Sequence, residues 1–178
     1  IVQKAAGSTG VETKTFKISS GDVVNDSKYT NYSATVDTRS WLITYGGNNK
    51  SVGTNKNNRK NCNLSSYSKY AVNPITTSSV ASAFASTSKL SSVTGISYGT
   101  ITTGKNQNNT KIYVIYSADD KTYSQIELTK GTQGTFNKDG DSFEFASLSG
   151  YFAVIFQTTN TEGDWRLDDV ILTFTYTE

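Results

Sequence analysis

Two runs of this chain are apolar at consecutive positions, not at alternating ones. Residues 112–116 read IYVIY, and residues 151–157 read YFAVIFQ. Neighbouring side chains on a strand point to opposite faces, so such a run belongs to a strand covered above and below, in the middle of a sheet. The first run breaks at Ser117-Ala118-Asp119-Asp120-Lys121, small and polar residues suited to a tight turn. It resumes over 122–128, TYSQIEL, alternating polar and apolar like a half-exposed strand. A hairpin with a buried first arm is expected.

Other segments follow a period of two. Residues 11–18 suit an outer strand, 32–45 a long strand with Trp41 and Ile43 on one face, and 142–147 a further strand. Weaker strands are expected at 75–84 and 89–98, the second with a bulge near Gly95. A closing strand, WRLDDVILTFTY, runs over 165–176 with Val170, Leu172, Phe174 and Tyr176 on one side. Between these lie polar stretches: 19–31, 46–63, 100–110 and the long turn GTQGTFNKDGD after the hairpin. Within 46–63 only Val52 is aliphatic, which predicts a short edge strand at 51–53. Residues 1–10 read as a linker or loosely attached end, and 11–178 as a single domain. No window sustains an apolar period of 3.6. The expected fold is all-β, a jelly-roll β-sandwich of about eight to ten antiparallel strands.

The hairpin wording is Tyr113-x-x-Tyr116-Ser117, an acidic turn, then Thr122-Tyr123-Ser124-x-Ile126. It resembles the corresponding hairpin of discoidin-type domains, with Asp120 where that pattern usually has glycine. The closing Arg166-Leu167-Asp168-Asp169-Val170-x-Leu172 resembles the end of the same galactose-binding-like jelly rolls. Many of those serve bacterial glycosidases as carbohydrate-binding modules. The resemblance therefore implies a jelly roll and a glycan partner. It also implies a structural calcium between an early loop and the last strand, where Asp22, Asp26, Asp168 and Asp169 occupy comparable regions. No cofactor is required by this reading.

Composition narrows the chemistry. The 178 residues contain no histidine and a single cysteine, Cys62, in a polar Asn-Cys-Asn run. Histidine-dependent triads, the commonest zinc ligand and an internal disulfide are all ruled out. Residues 38–118 hold nine Lys or Arg and no acid, a charge of +9, while 119–178 hold four bases and eleven acids, −7. Residues 1–37 balance at zero, giving the net +2. Either strands of the two halves interleave and neutralise one another, or the basic half presents a surface to an acidic glycan or nucleic acid. No nucleic-acid motif is present, and a sequence pI near 8.5 falls short of a strongly basic domain. Nucleic acid is the less favoured partner. No membrane-length apolar run or leader pattern occurs, so membrane insertion is not expected. The start at Ile1 suggests a mature or excised domain. A Tyr-, Asn- and Thr-rich chain nearly free of cysteine resembles exported bacterial domains, so a secreted or cell-surface location beside neighbouring domains is expected.

Carboxylate pairs are poor candidates for catalysis. Asp168 and Asp169 adjoin on a strand and face opposite ways, and Asp119 and Asp120 sit in a turn. A binding site is expected instead, and no enzyme. Sugar recognition needs aromatic faces and groups that hydrogen-bond hydroxyls. Tyr45, Asn48, Asn49, Lys50, Asn57 and Arg59 supply them in the acid-free loop after the Trp41 strand, joined by Trp165 and Arg166. Trp41 reads as core and Trp165 as exposed. A solvated Asn-rich loop that binds nothing is the competing reading. The alternative function is a structural or adhesive domain that binds a protein or spaces its neighbours.

Overall fold

A computed structural model describes residues 11–19, 30–36, 39–45, 52–54, 65–75, 80–99, 110–137, 139–158, 165–167 and 169–177. Among them are eleven strands, every pairing antiparallel, and no α-helix. In chain order these are β1 (Val11–Ser19), β2 (Thr30–Val36), β3 (Arg39–Tyr45), β4 (Val52–Thr54) and, after a 3-10 turn at Ser65–Tyr70, β5 (Val80–Ser86) and β6 (Leu90–Tyr98). Then come β7 (Thr110–Ser117), β8 (Ser124–Gln125), β9 (Asp141–Thr158), β10 (Trp165–Leu167) and β11 (Asp169–Thr177).

The main sheet runs β1-β11-β6-β9-β5-β3-β2, with β7 also on β9 and β8 on β7. β9 is the axis of the molecule. Its first half pairs with β6, and its second half lies between β5 and β7. The strands thus form two arms that share β9. The rings of Trp41 of β3 and Phe174 of β11 meet at a tilt, with centroids 5.0 Å apart. Four strand steps separate them, which in a flat sheet would be roughly 19 Å at ~4.8 Å per step. The sheet therefore folds back on itself, and the two arms enclose one core. That core gathers Trp41, Phe84, Ile96, Ile112, Val114, Phe143, Phe145, Phe152, Phe156 and Phe174.

The outer face of the β5-β9-β7 arm is buried as well. Tyr70, Ile75 and Tyr123 cover Ala83, Ala85, Tyr113, Ile115, Ala153 and Ile155. This accounts for the two runs that are apolar on both faces: each strand has a core beneath it and the 65–75 segment or the hairpin turn above. β5, β6 and β7 of the basic half pair with β9 and β11 of the acidic half. The two halves of the chain interleave.

Several expected strands are drawn differently. The long strand at 32–45 is a hairpin, with Ala34 opposite Trp41 and Val36 opposite Arg39. The closing strand at 165–176 is divided between β10 and β11, which belong to different sheets. The strands expected at 142–147 and 151–157 are one strand of 18 residues, irregular in its register with β6 between Leu148 and Glu144. Gly150 lets the end of β7 approach closely, because a Cβ there would overlap the Ser117 carbonyl oxygen and the Tyr116 ring. The strand at 75–84 begins only at Val80, and Ile75 is buried in the turn that follows the 3-10 segment. The irregularity expected near Gly95 is present, as register shifts on both sides of Val93.

Candidate functional site

The topology brings together two segments that the sequence proposed as one site. Trp165 and Arg166 of β10 pair with Thr54 and Gly53 of β4, inside the Asn- and Lys-rich loop. Tyr45 ends β3, opposite Thr30 and Ser82. Asn48, Asn49, Lys50, Asn57 and Arg59 lie outside the described residues, as do Asp22, Asp26 and Asp168. Asp169 opens β11 opposite Ser19. Trp41 is core, 3 % exposed.

The acidic turn after β7 is a structural device. The Asp119 carboxylate accepts from the N–H groups of Lys121 (2.9 Å) and Thr122 (3.1 Å) and from the Ser117 hydroxyl (3.0 Å). Those bonds, the Lys121 N–H first, hold its acid below the usual carboxyl range. Asp120 takes a left-handed backbone with φ of 61°, a conformation glycine enters most readily and Asp or Asn tolerate. Its carboxylate accepts from the Tyr123 hydroxyl at 2.6 Å and pairs with Lys69 at 3.0 Å. Burial first, and then the bond to Asp120, push the Tyr123 hydroxyl upward. Tyr123 stacks edge-on against Tyr70, 4.9 Å away. The turn thereby pins the 3-10 segment over the sheet. A group with a lowered folded value stabilises above the ordinary carboxyl range and loses that stabilisation as pH falls through the folded value. Thermal melts from pH 6 to pH 2.5 are expected to show a shallower acid limb in Asp119→Ala than in the parent; superimposable limbs would mean the turn carries no linkage.

Asn137, Asp139 and Asp141, in the long turn after the hairpin, also serve the fold. The Tyr98 hydroxyl donates to the Asn137 carbonyl (3.0 Å) and accepts from its N–H (3.1 Å), while Asn137 Oδ1 accepts from Asp139 N–H (3.1 Å). Burial pushes the Tyr98 hydroxyl up to about 12. Asp141 accepts from its neighbour Ser142 N–H at 2.8 Å. Among the described residues no three acids, cysteines or histidines converge as a metal centre.

A concavity among the described residues lies on the solvent face of β6 and the first half of β9. It is a cleft of about 330 Å³, lined by Thr94, Gly95, Ile96, Ser97, Thr129, Ser142, Glu144 and Phe145. Local sequence builds it. Val93, Ile96 and Tyr98 turn to the core, so Ser97 faces out, opposite Ser142. Gly95, without a side chain, sits opposite Glu144 and leaves the floor open. Thr129 and Lys130 run beside β9 as a further wall, with Thr129 N–H donating to the Glu144 carbonyl (2.7 Å) and Glu144 N–H to the Lys130 carbonyl (3.0 Å). Lys130 Nζ reaches the Glu144 carboxylate at 3.1 Å, both side chains more than half exposed. Four hydroxyl residues and one half-neutralised carboxylate can donate to and accept from a polar ligand. Sequence reasoning passed over these residues because Ser and Thr on a strand face carry no motif. The one legible signal was Gly95, read as a bulge and not as a floor.

These features define an antiparallel all-β domain whose described concavity is polar and open to solvent. No protein-family model, curated protein or solved structure matches the chain. Among the described residues no helix is long and apolar enough to cross a membrane.

Proposed function

We propose that the chain is a non-catalytic glycan-recognition domain, a carbohydrate-binding module on a jelly-roll β-sandwich of the galactose-binding-like type. It works as part of a larger secreted or cell-surface bacterial protein, raising the local concentration of its neighbours at a polysaccharide or host glycan. The observation that carries this reading is the cleft over β6 and β9. Its walls offer Thr94, Ser97, Thr129 and Ser142 beside the Glu144–Lys130 pair, hydrogen-bonding groups on a rigid frame. Its size is at the low end of small-ligand sites. A single carboxylate lines it, whereas glycoside hydrolysis uses two across the scissile bond. The sequence segment that contains Asn49, Arg59 and β4, with β10 paired to β4, is a second locus for the same function. A structural calcium at Asp22, Asp26, Asp168 and Asp169 is compatible with this reading and would show as a rise in melting temperature with the free ion.

A glycan array followed by titration tests the proposal. Glu144→Gln is expected to weaken the retained glycan by about 1–3 kcal/mol through loss of a charged acceptor. Ser97→Tyr, a residue well suited to a strand face, is expected to fill the cleft and abolish binding without lowering the melting temperature. Loss in Asn49→Ala and Arg59→Ala with Glu144→Gln and Ser97→Tyr unaffected would move the site to the loop. Silence across the array would sink the proposal.

A further inference from the structure

The strand register extends the polar cleft beyond its own walls. Thr15 of β1, Thr173 of β11, Ser97 of β6 and Ser142 of β9 stand directly opposite one another in one row across four strands. Two residues along, a second row runs Thr13, Thr175, Gly95, Glu144 and ends at Lys130. Residues opposite one another in an antiparallel pair share a face, as do residues two apart on one strand. Both rows therefore belong to the face that carries the cleft. Ser97, Ser142, Gly95 and Glu144 are common to the rows and the cleft.

The chemistry of the rows is narrow. Six of the nine positions are Ser or Thr, one is glycine, and the only charges are Glu144 and Lys130, which pair with each other. The two rows are thus neutral as a set, and the next β1 position on this face, two residues beyond Thr15, is Lys17. From β9 to β1 a row spans three strand steps, roughly 14 Å at ~4.8 Å each. That length exceeds what the cleft alone presents. Hydroxyl-to-hydroxyl bonds in water are individually small in net value, so such a face gains affinity by repetition along a ligand.

Resting on the glycan reading above, we propose that the cleft is one end of a track and that its ligand is a neutral polysaccharide lying across β9, β6, β11 and β1, perpendicular to the strands. Acidic glycans find no unpaired base in the rows. A lone terminal sugar leaves Thr173, Thr15 and their neighbours unused.

Affinity electrophoresis tests the class of ligand. The gels contain neutral polymers (mixed-linkage β-glucan, xyloglucan, galactomannan, xylan, dextran and soluble starch) or acidic ones (polygalacturonate and heparin). The expected result is retardation by at least one neutral polymer and by neither acidic one. Calorimetry then follows the monomer-to-hexamer oligosaccharides of the retarding polymer. Affinity is expected to rise at least tenfold from monomer to tetramer. Thr15→Val and Thr173→Val, which keep shape and strand propensity, are expected to weaken the tetramer several-fold and leave the monomer unchanged. Glu144→Gln is expected to weaken both. Full affinity already at the monomer, or threonine variants that bind the tetramer like the parent, overturns the track while glycan recognition stands. Retardation by acidic polymers alone overturns the neutral ligand. No retardation by any polymer overturns both.

Discussion

Phe152→Ala is expected to cost about 3–5 kcal/mol, the range for a large aromatic cut from a filled core. Phe152 is fully buried on the second half of β9. Its ring lies 5.3 Å from Tyr116 of β7, 6.0 Å from Phe145 on the first half of β9, and 6.3 Å from Phe174 of β11. It therefore touches both arms of the folded sheet at the place where β9 passes between them. Its N–H donates to the Ser86 hydroxyl at 2.9 Å, so the backbone stays satisfied when the ring is lost. The cost is then the ring and the cavity it leaves. For a domain of this size each kcal/mol lowers the melting temperature by about 2–4 °C. Differential scanning calorimetry of the parent, Phe152→Leu and Phe152→Ala should show a graded fall. A loss below about 1 kcal/mol for the alanine variant would mean that the arms are not joined through this cluster.

The second large effect is expected at Gln133. The outer edge of β7 meets only two residues of β8, through Ile115–Gln125 and Tyr116–Ser124. Further along, the Gln133 side chain takes the place of a strand. Its Oε1 accepts from Val114 N–H at 2.8 Å, and its Nε2 donates to the Ile126 carbonyl at 2.9 Å. Gly134 N–H then donates to the Ile112 carbonyl at 2.7 Å. A carboxamide has the donor and acceptor of a peptide group, so it closes an edge that would otherwise be open to pairing with another chain. Gln133→Leu is expected to orphan the Val114 N–H, on a residue with no exposure, at about 1–3 kcal/mol. Gln133→Glu discriminates between shape and hydrogen bonding. As a carboxylate it still accepts from Val114 but opposes the Ile126 carbonyl; protonated, it can donate again. The folded state then favours the acid form, raising that group above the ordinary Glu value. Stability is full below the ordinary carboxyl range and is lost as pH rises through the raised value. Denaturant melts at pH 4 and pH 7 should show Gln133→Glu nearer the parent at pH 4. An equal deficit at both would assign Gln133 a packing role only.

The comparison of pattern with fold is instructive at particular residues. Period-two alternation and doubly apolar runs located β1, β6, β7 and the second half of β9. They also located the turn at Asp119 and Asp120, because small polar residues between apolar runs leave the chain little else to do. The left-handed backbone of Asp120 was not read from the sequence. In that conformation its carboxylate bonds to Lys69 and Tyr123, 51 and 3 residues away in the sequence.

Sequence alone therefore determined the antiparallel all-β class, the doubly buried runs and the turn at Asp119 and Asp120, since burial of one face or two is written locally in the alternation of side chains. Only the tertiary structure decided which strands pair. Alternation records which face a residue occupies but not the strand its N–H and C=O will meet. Hence residues 32–45 fold as a hairpin, two expected strands merge into β9 around Gly150, and Gln133 completes an edge. The cleft belongs to the same class of fact. Thr94, Ser97, Thr129, Ser142 and Glu144 are ordinary solvent-facing residues on three separate segments, and they become a surface only when register sets them side by side.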